Sequence, residues 1–330
     1  MRDAGRTAFG GSHCGRRSPA LGRVPGPTPG HLILLFLLLA TAILSAAQAS
    51  SAADGSASSQ QEARDAAPGS GGKTGTSWSE DVDIVGTFNP LGLEASAGYS
   101  YTNAYRYDEH YDAVSASWTA GPEIALTPSF LRPSLSFEWM PFLFLTTRFE
   151  YDGYYYLGAN GGMLSFSSAA DAFGDRELRA RKGTEDSGRG SRLLLQPTVQ
   201  LRIGDIVLRN QSDIARYRFP GSGPFFHEQE YDTLLKDGGL LFANRTQVLK
   251  EKTSGGDTLL FGPYFELVHA AVSDIVRRQI GILLYSERSR STASADESHY
   301  FLQIGYNLRD RNREGEIFIL IGTGLSSAVR

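Results

Sequence analysis

The stretches LGLEASAGYSYT, residues 91–102, and VSASWTAGPEIALT, residues 114–127, decide the fold. In the first, Leu91, Leu93, Ala95, Ala97, Tyr99 and Tyr101 alternate with Gly92, Glu94, Ser96, Gly98, Ser100 and Thr102. In the second, Val114, Ala116, Trp118, Ala120, Ile124 and Leu126 alternate with Ser115, Ser117, Thr119, Gly121, Glu123 and Thr127. A period of two is the repeat of an extended strand, so each arm has one apolar and one polar face. With the polar, aromatic tip 105–112 between them, the arms predict a hairpin over residues 91–126. Its apolar face either covers a core or forms the outer wall of a barrel in lipid.

The same period runs on toward the C-terminus. Leu135, Phe137, Trp139, Leu143, Leu145, Phe149, Tyr151, Tyr155 and Leu157 keep one phase, against Ser134, Ser136, Glu138, Arg148, Glu150 and Asp152. No turn residues flank Pro141, so this run predicts one very long strand with an edge bulge at that proline. Residues 158–190 are a long polar loop. Strands follow at 193–203, 206–219, 240–252, 259–267, 275–285, 300–309 and 316–326, with a tight turn at Gly204-Asp205 and a second long loop at 220–239. The expectation is ten strands, within a range of eight to twelve, in an all-β, antiparallel up-and-down barrel. The short turns at 204–205 and 254–256 fall at one end, and the loops at 105, 158 and 220 are expected at the other.

Residues 1–49 read as a secretory signal peptide. Arg2, Arg6, Arg16, Arg17 and Arg23 precede an apolar run at 31–44, and Ala47-Gln48-Ala49 has the form of a cleavage site. Residues 50–80 are rich in Ala, Ser and Gly and predict a disordered linker, leaving 81–330 for the barrel. Residues 1–49 hold five of the chain's 32 basic residues and one of its 36 acidic ones, so the remainder carries a net charge of about −8. That balance excludes nucleic acid as a partner. The one cysteine, Cys14, falls in the expected signal, which leaves the sheet to hold the fold without disulfides.

From about residue 81 onward, alternation, loop asymmetry and aromatics at strand ends (Tyr99 to Tyr107, Tyr151 to Tyr156, Tyr300 to Tyr306) resemble bacterial outer-membrane β-barrel proteins as a class. The resemblance implies export to the outer membrane, lipid as the surrounding medium, and contacts with other envelope proteins through external loops or the linker. The chain departs from the class in ending Ala328-Val329-Arg330 instead of on an aromatic residue.

Polar positions on the strands place Glu94, Glu123, Glu138, Arg148, Glu150, Arg202, Glu266 and Arg309 inside the barrel, where acid and base pair as a polar filling. The reading is a non-enzymatic barrel, either a narrow or plugged channel or an anchoring component. A barrel enzyme, protease or lipid-modifying, and a diffusion porin are the alternatives. The enzyme alternative rests on Asp108 and His110. The segment 108–112 looks like the Asp-x-His segment of omptins, ten-stranded outer-membrane proteases, and that likeness implies that Asp108 orients His110 to activate a water. Omptins carry a second carboxylate pair earlier in the chain; here the only earlier Asp-x-Asp is Asp81 and Asp83. His227, beside Glu228 and Glu230, reads as a solvated loop histidine. No zinc spacing, phosphate loop or nucleophile elbow is present, so no cofactor and no metal is expected. Asn210-Gln211-Ser212 and Asn244-Arg245-Thr246 match the glycosylation sequon but fall in strands.

Overall fold

Twelve antiparallel strands close on themselves in this computed structural model, which describes residues 74–108, 113–158, 160, 162–219, 221–254, 257–289 and 297–329. In chain order the strands of the wall are β1 (Gly75–Phe88), β2 (Gly92–Asp108), β3 (Ala113–Leu126), β4 (Phe130–Phe142), β5 (Leu145–Leu157), β7 (Ser187–Ile203) and β8 (Ile206–Arg218). They continue as β11 (Leu240–Ser254), β12 (Asp257–Ala270), β13 (Ile275–Ser289), β14 (Glu297–Arg309) and β15 (Ile317–Val329). Each wall strand pairs with its sequence neighbours, and β1 pairs with β15 from Trp78 opposite Val329 to Phe88 opposite Ile319. No wall strand is left with an open edge, which removes the aggregation hazard of an unpaired strand.

Two regions account for twelve strands where ten were expected. Residues 75–80 belong to β1 and not to a linker, although they hold few apolar groups. Residues 134–157 are not one long strand but the hairpin β4–β5, turning at Leu143 and Phe144. In that hairpin Leu135 faces Tyr151 and Phe137 faces Phe149, so odd residues pair with odd. A hairpin in that register preserves the period-two phase, and alternation alone cannot separate it from one continuous strand. The register shifts between Trp139 and Phe142, at Pro141, where the missing amide donor is tolerated.

The outward residues are predominantly apolar around the circumference. Leu135, Leu193, Ile282 and Ile321 are each about 60% exposed, which in water would be a large unpaid cost. A closed sheet with a predominantly apolar exterior satisfies its own backbone and presents mostly grease, the arrangement that permits a sheet to cross a bilayer. Strands of 13 to 17 residues are long enough for that crossing.

The connections sort into two ends. The pairs β2–β3, β4–β5, β7–β8, β11–β12 and β13–β14 join at a short-turn end, where Gly75 and Val329 also lie. The opposite, long-loop end carries residues 158–186 and 219–239. Asp108, where β2 ends, and Ala113, where β3 begins, therefore lie at the short-turn end and not beside the loops at 158 and 220, contrary to the expectation from sequence. Counting strands explains the misplacement, because splitting 134–157 in two reverses the direction of everything before it.

Both long loops are folded. They contribute β6 (Ser165–Phe166), α1 (Asp175–Ala180), β9 (Phe225–Glu228) and β10 (Thr233–Lys236), and β10, β9 and β6 form a separate three-stranded sheet. Phe166, Phe226, Leu234 and Leu235 of this sheet are buried against Tyr154, Leu194, Tyr217, Leu241 and Val268 on the inner wall. The apolar core of the molecule thus lies inside the barrel, at its long-loop end.

Candidate functional site

Inward side chains below the small sheet form a layer of paired charge. Arg192 of β7 is its hub. The guanidinium, only 3% exposed, donates to Asp152 at 2.5 Å, Glu150 at 2.7 Å and Glu230 at 2.6 Å. Asp152 also accepts from Ser134 Oγ at 2.5 Å. Arg132 of β4 reaches Glu94 at 3.0 Å and Glu230 at 3.5 Å, while Arg148 pairs with Glu150 and, at 3.7 Å, with Glu123. Across the lumen Glu266 is held between Arg245 and Arg277, the latter at 2.8 Å. Apart from Glu230, these are residues that strand alternation points inward, and burial without pairing would be prohibitive.

Glu230 belongs to the turn between β9 and β10, so the loop itself enters this layer. Tyr231 beside it donates its hydroxyl to Asp213 of β8 at 2.8 Å. Asp232 accepts from His227 at 2.8 Å and from Arg313 at 2.6 Å, and Arg313 also reaches Asp175 and Asn89 at 2.5 Å. The hydrogen bond from His227 and the charge of Arg313 hold the Asp232 carboxyl at about 2 despite burial. Burial, reinforced by the charge of Glu230, pushes the Glu228 carboxyl up to about 7 even though it accepts the amides of Tyr231 and Glu230. The β9–β10 hairpin is therefore pinned to wall strands through Glu230 and Tyr231, and to the β14–β15 connection through Asp232.

Toward the short-turn end the lumen opens into a polar cavity of about 170 Å³. Asp83, Ser100, Thr119, Glu123, Glu138 and Arg148 are among its lining residues. Asp83 pairs with His299 at 3.0 Å across β15. Gly324 lies between their strands, and a Cβ there would overlap both side chains, so the glycine makes the bridge possible.

Of the eight charges expected inside, Glu94, Glu123, Arg148, Glu150 and Glu266 take part in ion pairs of the lumen, and Glu138 lines the cavity. Arg202 and Arg309 are exposed near strand ends instead, Arg202 pairing with Glu251 at 2.9 Å. His227, expected to be solvated, is 6% exposed and rests on the Phe173 ring at 5.7 Å. Asp108 ends β2 at the short-turn end; His110 lies outside the described residues. Among the described residues no cluster of His, Cys, Asp or Glu could hold a metal ion. Arg132, Arg192 and Arg277 had a legible signal in strand parity; Arg245 did not, because apolar residues fall on both parities of β11, and Glu230, Asp232 and Arg313 sit in loops and had none.

Fold and lumen together define a closed, twelve-stranded β-barrel with an apolar outside and a filled inside. No protein family is matched by the sequence, and no curated protein is matched either. Solved structures similar to it include an outer membrane channel from Pseudomonas putida F1, at 9% identity and a TM-score of 0.39 over 79% of this chain and 99% of that one. The translocator domain of the autotransporter NalP from Neisseria meningitidis shares 12% identity with a TM-score of 0.38, over 88% and 96% of the two chains. The KdgM porin in complex with disordered oligogalacturonate shares 7% identity with a TM-score of 0.36, over 76% and 99%. At these values the account of this chain rests on its own geometry.

Proposed function

We propose that this chain is a non-enzymatic integral barrel of the bacterial outer membrane, closed at one end by its own loops, acting as a plugged channel or as an anchor for other envelope proteins. The observation that carries the reading is the β9–β10 hairpin, buried in the long-loop end and tied to Arg192 and Arg132 by Glu230. Twelve strands about 4.8 Å apart and tilted by about 40° enclose a backbone cylinder roughly 24 Å across. About eight strands are filled by side chains alone, so a barrel of this size would conduct unless something further occupied it. Here two folded loops supply that filling.

Export through a cleaved signal at residues 1–49 would deliver the chain, with the termini of the barrel on the periplasmic side and the long loops outside. Lipid then surrounds the wall, and partners meet the loops or the segment before Gly75. Liposome swelling tests the closed state. Vesicles carrying the folded barrel, verified by its heat-modifiable migration, are expected to exclude small sugars as empty vesicles do. Swelling at the rate of an open diffusion pore would overturn the reading in favour of a porin. Replacing His110 by Ala is expected to change no surface hydrolysis, and loss of such an activity would establish the enzyme alternative.

A further inference from the structure

On the outer wall, halfway between the two ends, four polar side chains stand together. Asn210 and Ser212 of β8 face outward between Leu208 and Ile214, and Asn244 and Thr246 of β11 between Phe242 and Val248. The register sets Asn244 opposite Ser212 and Thr246 opposite Asn210, so the four form a two-by-two block. The residues paired with the block on the flanking strands are apolar: Leu267 and Phe265 of β12 stand opposite Asn244 and Thr246, and Val199 of β7 opposite Asn210. A polar block facing hydrocarbon is costly, and polar groups in that setting generally face protein.

The hydrogen bonds inside the block leave a defined remainder. The Asn210 amide nitrogen donates to Thr246 Oγ1 at 2.8 Å and to Asn244 Oδ1 at 3.2 Å. That of Asn244 donates to Ser212 Oγ at 2.8 Å and to Asn210 Oδ1 at 3.1 Å. Both hydroxyls thus accept, and their own two protons have no acceptor among the described residues. Each amide oxygen accepts one bond and keeps a second lone pair. Two donors and two acceptors remain, on one surface.

We propose that this face of β8 and β11 binds a second copy of the chain within the bilayer, about a two-fold axis through the block. A two-fold contact sets the same patch against itself, and a remainder of equal donors and acceptors is complementary to its own copy. The Ser212 and Thr246 hydroxyls of each barrel donate to the Asn244 and Asn210 oxygens of the other, giving four bonds across the interface. Flanking Leu208, Ile214, Phe242 and Val248 pack around them as an apolar rim. The inference rests on the wall facing lipid and says nothing of the lumen.

Single-molecule photobleaching of labelled barrels in dilute planar bilayers reads the state directly. The chain is expected to bleach in two steps, and the variant N210L/S212A/N244L/T246V in one. Dimer association should be weakened on the order of fifty-fold, the factor expected from four hydrogen bonds of average intramembrane strength. Heat-modifiable migration confirms that the variant is folded, and the milder N244L alone is expected to give an intermediate distribution. Inserted barrels that stay monomeric at every protein-to-lipid ratio, or a folded variant that dimerises as well as the parent, would overturn the proposal. Failure to insert at all would instead strike the membrane reading beneath it.

Discussion

Arg192 shows how strongly one side chain is committed here. It holds three carboxylates, two on β5 and one on the β9–β10 turn, and without it Asp152, Glu150 and Glu230 would crowd together with no counter-charge at their centre. Arg192→Ala is expected to cost about 3–5 kcal/mol, the penalty for breaking a buried ion pair from one side, read as a lower temperature of the heat-modifiable transition. An unchanged transition would mean that water already reaches the site. Glu228 gives a pH dependence of definite sign. Its carboxyl ionises near 7 in the folded chain against 4.5 in a free one, so folding of the hairpin is favoured while Glu228 is protonated. That stability is complete below about pH 4.5 and is lost as pH rises through 7, by about 3 kcal/mol in all. Asp232 acts in the opposite sense, supplying stability above 3.8 that is lost as pH falls toward 2. Amide exchange of residues 225–236, corrected for its chemical rate, is thus expected to quicken from pH 5 to pH 8, and Glu228→Gln to remove the change.

Among the elements, the hairpin that opened the sequence reading was legible in its two arms, because one strand face was apolar at nearly every second position, although β2 runs on to Asp108 through part of the expected tip. Strand β1 was not, since Thr76, Ser77, Ser79 and Glu80 give no alternation and its order comes from pairing with β2 and β15. The turn at Leu143 and Phe144 was hidden for a different reason. Its residues are as apolar as the strands they join, and the Phe142 and Phe144 rings stack at 5.5 Å. The plug was illegible altogether, since β9 and β10 are four residues each and acquire their burial only from the wall around them. Gly190 marks that fit: a Cβ there would overlap the Phe219 ring, so Gly190→Val is expected to displace Phe219 from Phe226 and loosen the plug without opening the wall. The split of 134–157 has a topological consequence that labelling can check. Leu143→Cys and Asp205→Cys should react with an impermeant maleimide from one side of the membrane and Ala169→Cys from the other, whereas a single long strand would put Leu143 within the bilayer.

The barrel as an entity combines an exterior that favours lipid with an interior that behaves as an ordinary protein core. The apolar surface turned inward at the long-loop end is buried by the two loops, and the charge below it is neutralised pair by pair. This is why a wall wide enough to conduct need not do so, and why removing the plug should convert one state to the other without unfolding the wall, whose backbone ladder closes from strand to strand and does not pass through the plug's own sheet. The most direct measurement is single-channel current across a planar bilayer for the chain and for a variant in which residues 221–238 are replaced by a short glycine-serine link. The chain is expected to show no open-pore steps, and the variant to show large, stable ones. Open-pore steps from the unaltered chain, or silence from a folded variant, would contradict a lumen closed by its own loops.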